Sequence, residues 1–172
     1  YRIPLIVKPA GATHTGRGVS LTSSVDLLPT FASQLGAPLR HAPDGLDLNP
    51  ALGGDETSLL SRGHVVIGYD YRNFISKKER EALGIHPNDA GITILRTDRH
   101  KYVHRNTLSP LLYDLQDDPS ETRNVSDDPR YQTARLNIAE ALLTARARSD
   151  DNTLANLRNR PEGTVHLNDL AD

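Results

Sequence analysis

The stretch GITILRTDRHKYVHR, residues 91–105, reads as two β-strands folded back on each other. Residues 91–97 (GITILRT) and 100–105 (HKYVHR) are rich in β-branched and aromatic side chains, and Asp98-Arg99 makes the turn between them. Two runs of the same character flank the pair, HVVIGYDY at residues 64–71 and LLYDL at residues 111–115. Four such runs predict a small antiparallel sheet. Pro129 then opens the most strongly periodic helix of the chain, with Tyr131, Ala134, Ile138, Leu142 and Ala145 on one stripe and Arg135, Glu140 and Arg146 off it. That helix is expected to lie across one face of the sheet.

Upstream the pattern changes. Residues 3–7 (IPLIV) form a short, nearly continuous apolar run, as in a strand buried on both faces of a mainly parallel sheet. Such a strand needs neighbours and covering helices that this chain does not obviously supply. After a Gly-rich loop at residues 9–18, Ser23 or Ser24 can cap a helix in which Val25, Leu28, Ala32 and Leu35 recur at helical spacing, with Pro29 near the first turn and Gly36 as stop. Residues 37–63 are dominated by turn formers, with one short helical turn expected near residues 49–52. Beyond Ser149 the sequence is polar, and residues 159–172 hold too little apolar material to order unaided. The expectation there is a tail that docks on a partner subunit. The predicted fold class is α/β overall and α+β within this segment, divided at residues 1–63, 64–148 and 149–172.

Composition sets the outer bounds. A chain of 172 residues with 37% hydrophobic content, two Phe, no Trp, eleven Pro and twelve Gly can fold alone but is loop-rich. A net charge of −2 gives no basic footprint for nucleic acid or an anionic membrane. No run approaches the roughly 18 consecutive apolar residues of a membrane span. The absence of Met, together with an opening at Tyr1 inside an apolar run, leads to the expectation of a segment from a longer parent. The absence of Cys removes disulfides, thiolate nucleophiles and Cys-ligated zinc from this segment.

Few residues offer chemistry. Of the seven His, His100 and His104 share a face of a predicted strand but stand roughly 13 Å apart along it, too far to hold one metal. His14 and Arg17 lie on the loop after the apolar run, where α/β sheets place their sites, and could line the rim of a pocket for an anionic ester. Gly16-Arg17-Gly18 is too short to cradle a phosphate, and no G-x-S-x-G elbow supports Ser-His-Asp hydrolysis. The cluster Asp114, Asp117, Asp118 and Glu121 lacks the spacing of a calcium loop and reads as a solvated turn. Asn124-Val125-Ser126 matches a glycosylation acceptor, a pattern common by chance. Neither a catalytic residue nor a metal ligand emerges.

Three segments nevertheless combine into a pattern. Residues 2–7 (RIPLIV), residues 23–30 (SSVDLLPT) followed by Leu35-Gly36, and residues 44–48 (DGLDL) occur in an order and spacing that resemble sulfatases and phosphonate monoester hydrolases of the alkaline phosphatase superfamily. Residues 96–102 (RTDRHKY) look like that family's strand pair. Residues 112–115 (LYDL), then 118–122 (DPSET) and Asn124-Val125, are similar to its closing motif. The resemblance covers about residues 1–148. It implies the last strand and helix of a large α/β sandwich, then a small antiparallel sheet with a packed helix. It further implies a parent that hydrolyses sulfate, phosphonate or phosphate monoesters with a formylglycine nucleophile and a divalent metal, calcium being expected. Neither the nucleophile motif nor the metal-ligand motif occurs here, so this chain alone is expected to be inactive. Its expected partners are the N-terminal catalytic portion of the same protein and a second copy, met through the helix at residues 129–148 and the tail. The competing expectation is a non-catalytic binding or assembly module that docks a partner through the small sheet and helix.

Overall fold

The computed structural model describes residues 4–11, 15–40, 42–70, 76–86, 89–154, 157–160 and 163–166. They fall into two compact units, Tyr1–Val65 and Val66–Asp172.

The second unit is built on a four-stranded sheet in the order β1-β2-β3-β4, with β1 Val65–Asp70, β2 Gly91–Arg96, β3 His100–Arg105 and β4 Leu111–Asp114. The β2–β3 turn closes as Thr97 donates its backbone N–H to the His100 carbonyl at 2.8 Å, while the Thr97 hydroxyl accepts from the His100 N–H at 2.8 Å. Antiparallel register sets Leu95 opposite Tyr102, and Tyr102 opposite Leu112. These three side chains therefore form a row across one face. They make the core with Val125, Ile138 and Leu142, and Leu95 and Leu112 are fully buried. Each of those leucines contributes about 1.5–3 kcal/mol by leaving water. The intervening residues Ile94 and Val103 point to the opposite face and are also buried, so the central strands are covered on both sides.

Helix α5, Gln132–Leu154, covers the Leu95–Tyr102–Leu112 face. Asp128 starts it, accepting the Arg130 N–H on its side chain, and Pro129 opens a 3₁₀ turn that leads into the helix. Tyr131, Ala134, Ile138, Leu142 and Ala145 all lie buried or half-buried, as their spacing predicts. The helix continues past residue 148 to Leu154. It is followed by an antiparallel hairpin of β5 Leu157–Arg160 and β6 Gly163–His166. These strands lie within the span expected as a polar tail. Low apolar content argues against a packed core, but hairpin pairing satisfies backbone groups without one.

In the first unit, Ser23 is an extended N-cap whose N–H donates to the Asp26 carboxylate at 2.7 Å, starting a 3₁₀ turn that runs into α1, Leu27–Gln34. Gly36 closes the helix at φ +60°, a left-handed conformation that glycine tolerates. Two short helices follow, α2 Asn49–Leu52 and α3 Thr57–Leu60. A third, α4 Lys77–Ala82, belongs to the second unit and is held by a capping box between Ser76 and Glu79.

Two expectations fail in the first unit. Among residues 4–7 there is no strand, and Leu5 and Ile6 are 46% and 92% exposed. A strand of that composition needs flanking strands for its backbone groups, and none lies beside it within the described residues. The apolar stripe predicted for α1 also faces the wrong way. The helix buries Asp26, Pro29, Thr30 and Ala32, while Val25, Leu28 and Leu35 of the stripe, joined by Phe31, stand exposed.

Candidate functional site

The inward turn of α1 has a polar cause. The Asp26 carboxylate, completely buried, accepts the Ser23 N–H, the Leu46 N–H at 2.9 Å and both terminal nitrogens of the Arg62 guanidinium. Burial by itself would raise the Asp26 pKa, but the Arg62 bond and the two backbone N–H groups outweigh it and hold the group below the ordinary carboxylate range. One turn on, the Thr30 hydroxyl donates to the Asp26 carbonyl at 2.6 Å and accepts the Leu48 N–H at 2.9 Å. Asn49 donates to the Thr30 carbonyl. The SSVDLLPT and DGLDL segments are thus two halves of one clasp, and Gly45 sits where a Cβ would come within 2.1 Å of the Val25 carbonyl oxygen.

A second buried carboxylate anchors the closing motif. Asp114, 1% exposed, receives Arg99 through Nη2 at 2.9 Å and Nε at 3.2 Å. The Arg99 bond, opposed by burial and aided by the Gln116 N–H, brings its pKa down to about 2. His100 pairs across the strands with Asp114, places Nε2 3.9 Å from its carboxylate, and meets the Tyr131 ring edge-on at 6.4 Å. Burial lowers the His100 pKa and the neighbouring Asp114 charge only partly restores it, so the imidazole is neutral at neutral pH.

The DPSET turn is held in the same manner. Asp118 accepts the Arg123 N–H at 2.8 Å and the Thr122 hydroxyl at 3.0 Å. Glu121, at φ +56°, pairs with Lys101. Asn124 turns its Oδ1 inward to accept the Leu112 N–H at 2.9 Å and the Ser126 N–H at 3.1 Å, and the Ser126 side chain is fully buried.

These arrangements define what the segment can do chemically. Asp26, Asp114, Glu121 and Asp128 are each neutralised by Arg62, Arg99, Lys101 or Arg130, so none is a free base or a nucleophile at neutral pH. Among the described residues no group of three or more His, Asp or Glu is placed to hold a metal ion, so the donor set does not fit the divalent metal that the resemblance implies. His104 stands exposed beside Tyr102, their ring centroids 6.5 Å apart, at a cleft of about 430 Å³ between β3 and α5. Arg146 is the cleft's one charged lining residue. His14 lies outside the described residues. Arg17 is exposed on its loop, whose far end Glu56 secures by accepting the Ser20 N–H at 3.1 Å and the Ser20 hydroxyl. What sequence reasoning missed are Arg62 and Arg99, which no local spacing marks. Among the described residues no helix is long and apolar enough to cross a membrane.

Comparison with known proteins places this geometry in context. No family model matches the chain. A multifunctional alkaline phosphatase superfamily protein of Trinickia caryophylli is 31% identical over 98% of this chain and 33% of its own length. An N-acetylgalactosamine-6-O-sulfatase of Bacteroides thetaiotaomicron is 32% identical over 73% of this chain and 24% of its own. Among solved structures, the phosphonate monoester hydrolase of Agrobacterium radiobacter superposes with a TM-score of 0.67 at 36% identity, covering 84% of this chain and 29% of that one. The chain thus spans about a third of the length of the first curated relative.

Proposed function

We propose that this chain is the non-catalytic, C-terminal closing part of a hydrolase like the sulfatases and phosphonate monoester hydrolases of the alkaline phosphatase superfamily, of whose length it matches about a quarter to a third. The parent enzyme hydrolyses sulfate, phosphonate or phosphate monoesters, with its formylglycine nucleophile and divalent metal supplied by the remaining portion. This segment buttresses that portion. One observation carries the reading: similarity runs over 98% of the chain but only 33% of the relative, while the buried carboxylates within the segment are neutralised by arginine.

On this reading, the loop carrying His14 and Arg17 lies at the substrate rim, where a guanidinium favours an anionic ester. Self-association uses α5, whose Leu136 and Leu143 stand 59% and 68% exposed one heptad apart. The test is an assay of the purified chain on an aryl sulfate and an aryl phosphonate monoester with added calcium. No turnover above the uncatalysed rate is expected. Turnover that scaled with the concentration of this chain would sink the claim that the segment is inactive alone. Activity recovered when the upstream portion is joined to it would support the parent assignment.

A further inference from the structure

The core of the second unit does not fill the space between β3 and α5, where a cleft of about 430 Å³ stays open. Its helical wall is one face of α5, since Ala139, Leu142, Arg146 and Ala147 fall at positions i, i+3, i+7 and i+8. The two alanines are too short to reach the sheet, which keeps the space open. The opposite wall is aromatic. Tyr102 and His104 alternate along β3 onto the same sheet face, their rings tilted by 31° with centroids 6.5 Å apart. Along the helix, the step from Ala139 to Arg146 makes the cleft about 10 Å long.

Polar groups gather at one end of it. Arg146 donates from Nη1 to the Thr93 hydroxyl at 3.3 Å, and Thr93 is the cross-strand partner of His104. That long bond to a neutral oxygen is the guanidinium's one contact, and among the described residues no carboxylate pairs with it. Arg62, Arg99 and Arg130, by contrast, each hold an aspartate. No acidic side chain lines the cleft, so its charge is positive and uncompensated.

We propose that this cleft binds a small aromatic monoanion. The planar body lies between the Tyr102 and His104 rings and the aliphatic face of α5, and a sulfonate, carboxylate or phosphonate head meets Arg146. Charge selects the head, because a guanidinium with free donors takes a planar or trigonal oxyanion through paired hydrogen bonds. Shape selects the body, because the walls are a ring face and short aliphatic side chains, and the volume falls in the small-molecule range of roughly 300–1,000 Å³. The site lies wholly within the second unit and does not depend on the functional reading above.

The test titrates naphthalene-2-sulfonate into the full chain, beside its uncharged counterpart naphthalene-2-sulfonamide, and follows backbone amide chemical shifts. Saturable shifts are expected at Thr93, His104, Ala139 and Ala147, with the sulfonate bound at least tenfold more tightly than the sulfonamide. Arg146→Met keeps the apolar stem and removes the charge. It should erase the preference for the sulfonate while leaving sulfonamide binding and the melting point unchanged. Ala139→Leu fills the cleft and should abolish binding of both compounds, with Ala147→Leu as a second filling variant and thermal melts showing that each is folded. Equal affinity for the two compounds, or binding that survives both filling variants, overturns the site. Shifts centred on the exposed Leu28 and Phe31 overturn it as well. Affinity that falls as chain concentration rises assigns the cleft, with Leu143 at its lip, to a second copy and overturns it too.

Discussion

Gly45 and Asp26 lie 19 positions apart in sequence, yet each fixes the other's surroundings. A methyl group at position 45 would collide with backbone atoms of Val25 and Asp26, which cannot swing aside as a side chain would. Gly45→Ala is therefore expected to cost about 3 kcal/mol and to loosen residues 24–48 selectively. Hydrogen exchange should show that loss while β2 to β4 keep their protection. Asp114 supplies a prediction in pH. Its folded pKa of about 2 lies below the ordinary carboxylate value of about 3.9, so its contribution is fully present above that value and is lost as pH falls toward 2. His100 acts in the same direction higher up, since with its folded pKa lowered, folding weakens as the unfolded chain takes up a proton below about pH 6.5. Asp114→Asn should lower stability at pH 7 by about 2 kcal/mol and flatten the loss between pH 5 and 2. Denaturant titrations at several pH values check both slopes.

Among the elements, the contrast between Leu112 and Leu143 is instructive, because both are leucines of the same unit. Leu112 is fully buried on β4 and Leu143 is 68% exposed on α5. Leu112→Ala is expected to cost about 3 kcal/mol, whereas Leu143→Ala should change stability by about 0.5 kcal/mol or less. Thermal melts of the two variants against the parent chain measure the difference. Strands such as residues 100–105, and the turn at residues 49–52, were legible because their signals are local: β-branched runs bounded by turns, and a Pro near a helix start. Helix α4 went unread although Ser76 and Glu79 spell a capping box, since charged residues give no apolar period to notice. The face of α1 could not be read from periodicity. Its buried side is chosen by the pairing of Asp26 with Arg62, 36 residues away, and by loop N–H groups that no window of sequence includes. Why the closing motif looks as it does, with Arg99 on Asp114, Lys101 on Glu121 and Asn124 on two backbone groups, became readable only with the strands in register.

For the whole molecule, the two units predict unequal resistance to opening. The second holds the Leu95–Leu112–Ile138–Leu142 core, while the first leaves α1's apolar stripe to water. Native-state hydrogen exchange of the isolated chain should show strong protection across β2 to α5 and labile amides in residues 4–36. Uniform protection of both units would instead favour a self-contained binding module. Size measurements of Leu136→Lys and Leu143→Lys chains address self-association, which is expected to weaken in both.

The order of the sheet has a consequence in time. From β1 through β4 each strand pairs with the next in sequence, and α5 closes over them soon after. The β2–β3 and β3–β4 connections are short and the others modest, so the second unit should assemble within roughly milliseconds of its residues becoming free. During synthesis it would then be a finished block before any slower association with a partner begins. It would commit its tyrosine, leucine and isoleucine core early and leave only a prefolded surface for the later step.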